Sequence, residues 1–512
     1  MPATEIPPVS RNWRILRRLI FIFIGLLTLL ALLWIEENIR GKNAWLKYKA
    51  ELEAKGEKLD FQEFIPLKVP DDQNFAMTPL LAPLFDFVPA SEHTPEHLRD
   101  TNAQDRAMLL APGQVDGWKK YPVSESRFWT RGEPMDLNEY VAALTNPSNV
   151  PTMSQTDAAA ELLKQFKQFQ PQMDELLAAS HRPYCRFNIE YHTNDPPGIL
   201  LFHLSVLRRL GLLFNARAGA ELQLGQGDAA ATDIKMLLFL GDCIAREPFL
   251  ISHMVRIALG QLALEPLWIG LAEHKWSDAQ LADFQHYLAK QDFLEGCQYT
   301  MRGELAMDVG TIESMRNGTL TPAVLLAQGN DSPLFKLVPS GMYYQNAVHV
   351  ARLFEEYALP ALDPANHRLR LDKVSSNDKV DSMLGSGFKP YKVFAILLFP
   401  NLDNFTRKSA IAQARLDEAF VACALERYRL AKGEYPESLD ALKPQFAETI
   451  PNDVITGAPL VYRKTADGRF LLYSVGWNNK DDGGKIATVG NGKSDKIDLT
   501  QGDWVWPEYP GK

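Results

Sequence analysis

The hydrophobic pattern of the chain begins with one uninterrupted apolar run, Leu19 to Ile35, which follows the basic stretch RNWRILRR. Its 17 residues carry no charge and reach the lower limit for a helix that crosses about 30 Å of hydrocarbon. Trp13 and Trp34 stand near its two ends, where membrane interfaces favour aromatic rings. A cleaved signal peptide is the alternative, but bulky residues (LLWIEENIR) stand where a peptidase needs small ones. The pattern therefore favours an uncleaved transmembrane anchor at 19–35.

The segment after the anchor, residues 36–99, has two parts. Residues 37–60 have helical composition and predict an extension of the anchor as a stalk. The stretch IPLKVPDDQNFAMTPLLAPLF then interrupts any helix with repeated prolines. We expect this second part to be extended and to wrap around another part of the protein.

Residues 100–400 are predicted to form an irregular all-α domain, because apolar residues recur at helical spacing from about Thr156 onward. The stretch ARAGAELQLGQGDAAATDIKMLLFL resembles one tetratricopeptide-type helical hairpin, without a second copy at a 34-residue period. Ser277 and Gln280 predict a capping box. The apolar stretch 251–272 contains His253, Arg256, Glu265 and Pro266, so it is predicted to be a buried helix of this domain.

Residues 401–512 combine helix and strand patterns. TRKSAIAQARLDEAFVACALERYRLAKG predicts a long helix that ends at Gly433, and PESLDAL a short one. PLVYRKTADGRFLLYSVG predicts a β-hairpin, since apolar and polar residues alternate on both sides of Asp467-Gly468. The glycine-rich tail ends in a short aromatic strand.

The charge distribution bears on partners and orientation. The chain carries a net −9, with +3 in residues 1–18 and therefore −12 in the rest. Such an acidic body argues against a nucleic-acid partner, which would need clustered Lys and Arg. Basic residues precede the apolar run and Glu36 and Glu37 follow it, although Arg40, Lys42, Lys47 and Lys49 make the Lys/Arg tally nearly even. We expect residues 1–18 to be a cytoplasmic tail at the bacterial inner membrane, with the bulk of the chain in the periplasm.

The four cysteines, Cys185, Cys243, Cys297 and Cys423, form no CxxC pair, which excludes a zinc ribbon and a thioredoxin motif. We expect buried apolar thiols. One disulfide, such as Cys243 with Cys297, is the alternative.

Two further stretches match catalytic or nucleotide-binding patterns by chance. ATVGNGKSD, residues 487–495, fits a relaxed Walker A pattern, but no helical period follows Ser494, so we predict no nucleotide site. HTPEH, residues 93–97, fits an inverted zincin motif, but Thr94-Pro95 reads as the start of a helix and leaves His93 outside it.

The remaining serine, histidine and glutamate residues that could take part in catalysis do not indicate a reaction. No G-x-S-x-G motif occurs, and Ser386 is assigned to a loop. His253 and His286 are interpreted as satisfied helical imidazoles. Glu304 is expected to be buried and paired with an arginine such as Arg246 or Arg256; a catalytic role is the alternative.

The C-terminal tail gathers oxygen-bearing side chains of the kind that bind Ca²⁺. They are Asn478, Asn479, Asp481, Asp482, Asp495 and Asp498. Their spacing is not that of an EF-hand, and by itself a solvated polar loop accounts for them.

The runs ALERYRLAKGEYPESLDAL and YSVGWNNKDDGG, with the hairpin between them, resemble the C-terminal domain of the type II secretion major pseudopilin. This resemblance implies a long helix packed on a small antiparallel sheet and a calcium-binding loop at 474–484 with Asp495 and Asp498. The chain departs from the family, because its anchor contains no Glu and the similar domain lies some 400 residues away. The resemblance covers about a fifth of the chain.

The whole chain also resembles uncharacterised bacterial membrane-anchored proteins through VPDDQNFAMTPLL, HRPYCRF, GDAAATD, REPFLISHMVRIA and YSVGWNNKDDGG. The fold class we predict is mainly α, with a transmembrane helix, an irregular all-α domain and a small C-terminal α+β domain. The predicted function is protein interaction or scaffolding at the membrane. The alternatives are a hydrolase-like cell-envelope enzyme with its site in the helical domain, and a component of a secretion or pilus-like apparatus.

Overall fold

The computed structural model describes residues 11–88, 97–109, 129–144, 152–192, 196–321, 338–374, 385, 389–398, 402–489 and 496–508. The chain is mainly helical, as the sequence predicts. Its first element, α1, runs unbroken from Arg11–Ala54 over 44 residues, about 66 Å at 1.5 Å per residue. Short 3₁₀ turns at Phe61–Phe64, Asp71–Gln73, Phe75–Met77 and Ala82–Phe85 follow it, where the prolines predict an extended, wrapping segment.

The helices that follow form the body of the protein. They are α2 Ala103–Ala107, α3 Leu137–Leu144, α4 Gln155–Phe166, α5 Gln170–Ala179, α6 Phe202–Gln223, α7 Gly227–Asp242, α8 Leu250–Ala272, α9 Asp278–Leu288, α10 Phe293–Asn317, α11 Ser340–Arg352, α12 Val393–Leu398 and α13 Leu402–Lys432. A π-helical turn, Leu353–Ala358, continues α11.

Short strands complete the fold. They are β1 Phe87–Val88, β2 His97–Leu98, β3 Leu362–Asp363, β4 Arg368–Leu369, β5 Val461–Lys464, β6 Phe470–Ser474, β7 Ile486–Val489, β8 Lys496–Gly502 and β9 Trp504–Val505. The first four strands pair as β1–β2 and β3–β4, and the C-terminal strands form a β5–β6–β9 sheet and a β7–β8 hairpin, all antiparallel.

The two halves of α1 have opposite environments. The apolar run 19–35 is exposed along its whole length. From Glu37 onward the helix packs along α11, and Trp45 and Leu52 are buried there. The stalk predicted at 37–60 is therefore helical as far as Ala54, but it is part of the body rather than a free spacer.

The crossing of α1 and α11 is close because both helices present a glycine. A Cβ at Gly41 would overlap the backbone of Gly341, and a Cβ at Gly341 would overlap the backbone at Glu37. The side chain of Asn38 caps α11 from the neighbouring helix, since its Oδ1 accepts the N–H of Gly341 at 2.9 Å and the hydroxyl of Ser340 at 3.0 Å. Backbone contact and capping together fix the two helices against each other.

An arginine–carboxylate contact fastens the chain just beyond the end of α1. Arg302 on α10 donates two hydrogen bonds to the carboxylate of Glu57, at 2.7 and 2.8 Å. A planar guanidinium paired in this bidentate way fixes direction as well as distance. Residues 37–57 are therefore held at both ends against the body.

The central core is built around α8, which is mostly buried although it is long and apolar enough to cross a membrane. This burial confirms the prediction for 251–272. The hairpin predicted from ARAGAELQLGQGDAAATDIKMLLFL is α6 and α7, and both pack on α8. The capping box of Ser277 and Gln280 is present at the start of α9.

The C-terminal elements share this core. As predicted, α13 ends at Gly433, whose φ of +88° ends the helix, and the β5–β6 hairpin turns at Gly468 with φ +82°. The aromatic strand β9 pairs with β6, and α13 packs on both strands. Because α13 also packs on α8, α9 and α10, the hydrophobic core is continuous across residue 400. The domain boundaries given above remain a sequence prediction.

Candidate functional site

An open cavity of about 540 Å³ lies where four parts of the body meet. Its walls are the turn at 196–201, the first residues of α8, the middle of α10 and the first turn of α13. Most of the lining is apolar, including Phe249, Ile251, Met254 and Phe405. This size is in the range of small-molecule and side-chain binding sites. The cavity is therefore the candidate functional site of the body.

The polar groups of the cavity wall are Glu304, Asn404 and Lys408. Glu304 is half-buried, and burial raises the pKa of its carboxyl to about 7, while a hydrogen bond from the backbone of Leu250 opposes this. Asp308 lies one turn further along α10 and is almost fully buried. Burial, and then the charge of Glu304, raise the pKa of Asp308 well above its usual range. Asp308 therefore favours its protonated form at neutral pH, whereas Glu304 titrates close to neutrality.

The buried carboxyl of Asp308 also has an incomplete set of hydrogen bonds. Its Oδ2 has no hydrogen-bond partner among the described residues. A buried carboxyl oxygen without a partner is costly, and a proton on one of the two acids reduces that cost. The protonation of Asp308 and that of Glu304 are therefore linked, and of the two acids Glu304 lines the cavity.

The structure corrects the pairing predicted for Glu304. Arg246 forms its ion pair with Glu295 at 3.0 Å, and Arg256 donates to the carbonyl of Asp292 at 3.1 Å and to Gln291. Sequence spacing could not predict this, because each arginine meets its partner across helices. His253 is buried beneath the cavity and shares a hydrogen bond with Ser409 at 3.1 Å, as expected for a satisfied imidazole.

The loop predicted to bind calcium is held mainly by a residue outside the predicted set. Asp503 is buried, and its carboxylate accepts the backbone N–H groups of Asp482, Gly484 and Lys485 at 3.2, 2.6 and 3.3 Å. A carboxylate that accepts several amides organises the backbone around it. The sequence analysis did not identify Asp503; the signal that could have found it is an acid between Gly502 and the apolar WVW at 504–506.

The predicted calcium ligands are partly brought together. Asn478 Nδ2 donates to Asp482 Oδ2 at 2.8 Å, and Asp481 Oδ1 accepts the hydroxyl of Tyr473 at 2.9 Å and the N–H of Gly483. Asn479 has a φ of +53° in the same turn. Asp498, on β8, accepts the N–H and hydroxyl of Thr500. Asp495 lies outside the described residues.

The positions of the side chains in this loop do not test the calcium prediction. In the described part of the chain, no group of three or more His, Cys, Asp or Glu side chains lies close enough to hold a metal ion. Calcium also accepts amide and backbone carbonyl oxygens, which this loop supplies through Asn478 and its turns. Calcium binding at this loop therefore stays a prediction.

The remaining sequence patterns lie as follows. Ala487 belongs to β7, and the strand after the Walker-like residues is β8, which pairs antiparallel with β7. A phosphate-binding loop needs a helix at that place. Of HTPEH, only His97 is described, in β2; His93 and Ser386 lie outside the described residues.

Comparison with known proteins returns no relative. No protein-family model matches the chain, and no curated protein and no solved structure is significantly similar to it.

Proposed function

We propose that the protein is a membrane-anchored scaffold or binding protein, whose body recognises a protein partner without catalysis. One observation carries this proposal: a single unbroken helix joins the exposed apolar run 19–35 to a half that is built into the body. A flexible linker would let the body tumble above a membrane. A continuous helix clamped at Asn38 and Glu57 holds it at one height and one orientation.

The height of the cavity above the bilayer follows from helix geometry. Ile35, the end of the apolar run, and Ala54, the end of α1, are about 30 Å apart along the axis at 1.5 Å per residue. Arg302 contacts Glu57 just beyond that end, and Glu304 lies on the same helix, α10. The cavity therefore opens roughly 30 Å from the membrane surface, within reach of a partner that also sits in or on the membrane.

The residues that line the cavity indicate which kind of partner would bind there. Its apolar walls suit an aliphatic or aromatic side chain, and Glu304 gains most from a cationic neighbour, which favours its ionised form. The acidic body, at −12 outside the N-terminal tail, attracts a basic surface over a longer range. We therefore propose a basic protein segment that inserts an apolar side chain into the cavity. Its natural compartment is the periplasmic face of a bacterial inner membrane.

Site-specific photocrosslinking tests this proposal. A photoreactive amino acid replaces Ile251, an exposed residue of the cavity wall, or Leu430, another exposed residue near the end of α13. We expect one partner to be captured from membranes at position 251 and not at 430, with a several-fold lower yield when Glu304→Gln is added. Equal capture at both positions, or a yield insensitive to Glu304→Gln, contradicts the assignment of the cavity as the binding surface.

A cell-envelope enzyme is the second candidate, and Glu304 is the observation that favours it. A carboxyl whose pKa is about 7 can accept and donate a proton at neutral pH. The cavity wall as described offers one carboxyl, one amide and one amine, with no histidine beside Glu304. Glu304→Gln distinguishes the two candidates, since an enzyme would keep its ligand affinity and lose turnover, whereas a binding site would lose affinity.

A further inference from the structure

Two of the four cysteines are neighbours in the fold although 57 residues separate them in sequence. Cys243 is buried at the end of α7, and Cys185 is half-buried in the segment after α5. Cys243 belongs to the central hydrophobic cluster and Cys185 packs against that cluster, so that the pKa of Cys243 is raised first by burial and then by the neighbouring Cys185 thiol. The disulfide considered from the sequence, Cys243 with Cys297, is not this pair, because Cys297 lies against Thr406 and Ser409.

The packing around the two thiols explains why they meet. Phe75 donates its backbone N–H to the carbonyl of Tyr184 at 2.8 Å, which fixes the chain next to Cys185. The ring of Phe75 also stands edge-on to Phe239 of α7, with 4.9 Å between centroids. Cys243 follows Phe239 by one helical turn, and its N–H donates to the carbonyl of Phe239. One phenylalanine thus connects the segment of Cys185 to the helix face of Cys243.

We propose that Cys185 and Cys243 form an intramolecular disulfide when the body meets a disulfide oxidant, such as oxidised glutathione or an oxidising dithiol protein. Cys185 reacts first, because it is the more accessible thiol: its thiolate attacks the oxidant and expels one thiolate, leaving a mixed disulfide. Cys243 then loses its proton, attacks the sulfur of Cys185 and expels the second thiolate. Two electrons pass to the oxidant, and the two protons end on the expelled thiols.

The bond would join the segment after α5 to the end of α7. It closes the chain from 185 to 243, which includes α6 and α7, the helices that pack on α8. A closed loop of this length restricts the unfolded chain more than the folded one. Formation in the cell rests on the proposed periplasmic location, since cytosolic thiols are kept reduced.

The test uses the purified full-length chain in detergent, oxidised with a glutathione redox buffer. Free thiols are blocked under denaturing conditions, and disulfide-linked peptides are identified by mass spectrometry. We expect the peptide linking Cys185 to Cys243, with Cys297 and Cys423 blocked as free thiols. The melting temperature should rise by about 5 °C on oxidation, and Cys185→Ser, a half-buried and mild change, should abolish both results.

Failure of this pair to link, or a Cys243–Cys297 peptide in its place, overturns the proposal. A second sample distinguishes a failure of the disulfide chemistry from an error in the proposed location. Cells are quenched in acid before blocking, so that the thiol state inside the cell is preserved. A pair that links in the purified protein but is reduced in cells supports the disulfide chemistry and contradicts the periplasmic location alone.

Discussion

Asn38 caps Gly341: the side chain of Asn38 on α1 accepts a free N–H in the first turn of α11 at 2.9 Å. A helix is normally capped by the residue just before it, and here the cap comes from an element about 300 residues earlier in the chain. The same crossing brings Gly41 against the backbone of Gly341. The second half of α1 and the body are therefore one packed unit, in which a change at the crossing affects both.

Substitution at the crossing tests this packing. Gly41→Ala places a methyl group against the backbone of Gly341, which has no flexible atom to yield, and should lower the free energy of unfolding by roughly 1 to 3 kcal/mol. Urea unfolding of the full chain in detergent measures it. Gly310→Ala is the matched control on α10, where a Cβ has nothing within 4 Å. It should raise stability by up to about 1 kcal/mol; equal effects of the two substitutions would contradict the close crossing.

Glu265 on α8 gives a prediction of pH dependence. It is buried with one hydrogen bond, from Asn215 at 3.1 Å, and burial raises its pKa to about 7. The folded state then holds the proton more tightly than the unfolded state, so stability is highest at low pH and falls as pH rises towards 7. Glu265→Gln removes this loss. The free energy of unfolding of the variant, relative to that of the parent, should therefore rise by roughly 2 kcal/mol between pH 5 and pH 8. The assignment would be contradicted if the free energy of unfolding of Glu265→Gln differed from that of the parent by the same amount at both pH values.

Asp503 gives a prediction about local order. Its carboxylate holds three backbone N–H groups of the loop 482–485, so Asp503→Ala should leave them without an acceptor and cost roughly 1 to 3 kcal/mol. Hydrogen exchange should show faster exchange in this loop. Asp498→Ala serves as the control, because Asp498 accepts hydrogen bonds from its near neighbours Thr500 and Gln501 and from none of the three amides that Asp503 holds. Unchanged protection in Asp503→Ala would show that other contacts hold the loop.

Calcium binding is tested with the full chain. If Asn478, Asp481 and Asp482 hold the ion, added Ca²⁺ should raise the melting temperature over a chelator-treated sample, and Asp482→Asn should reduce the difference. The hydrogen bond between Asn478 and Asp482 already brings these two side chains together. A melting temperature that is the same with calcium and with chelator would remove the site.

Local patterns were sufficient to predict much of the fold. The uncharged run 19–35, the cap at Ser277, the stop at Gly433 and the turn at Asp467-Gly468 each depend on residues close in sequence, and the structure shows the element expected at each. Patterns of this kind carry their physical cause within a few residues. These elements can therefore be predicted from the sequence without knowledge of the fold.

The parts that the sequence did not predict depend on distant contacts. The Gly41–Gly341 crossing, the meeting of Cys185 with Cys243, and the arginine partners of Glu295 and Asp292 all join residues from separate elements. Glu304 was singled out as a buried acid, but its actual neighbour, Asp308, stands four residues away on the same helix. Such a pair is visible in the sequence only as spacing, and its burial comes from the fold.

The central claim is that α1 holds the body at a membrane, and its most direct measurement is alkaline carbonate extraction of membranes from cells that make the full-length chain. Carbonate releases proteins attached to the surface and leaves integral helices in place. We predict that the full-length chain stays in the membrane pellet, because the 17 uncharged residues of α1 are exposed on the protein and are long enough to cross a bilayer. Recovery of the intact chain in the soluble fraction would contradict the anchor, and with it the height, orientation and partner proposed for the cavity.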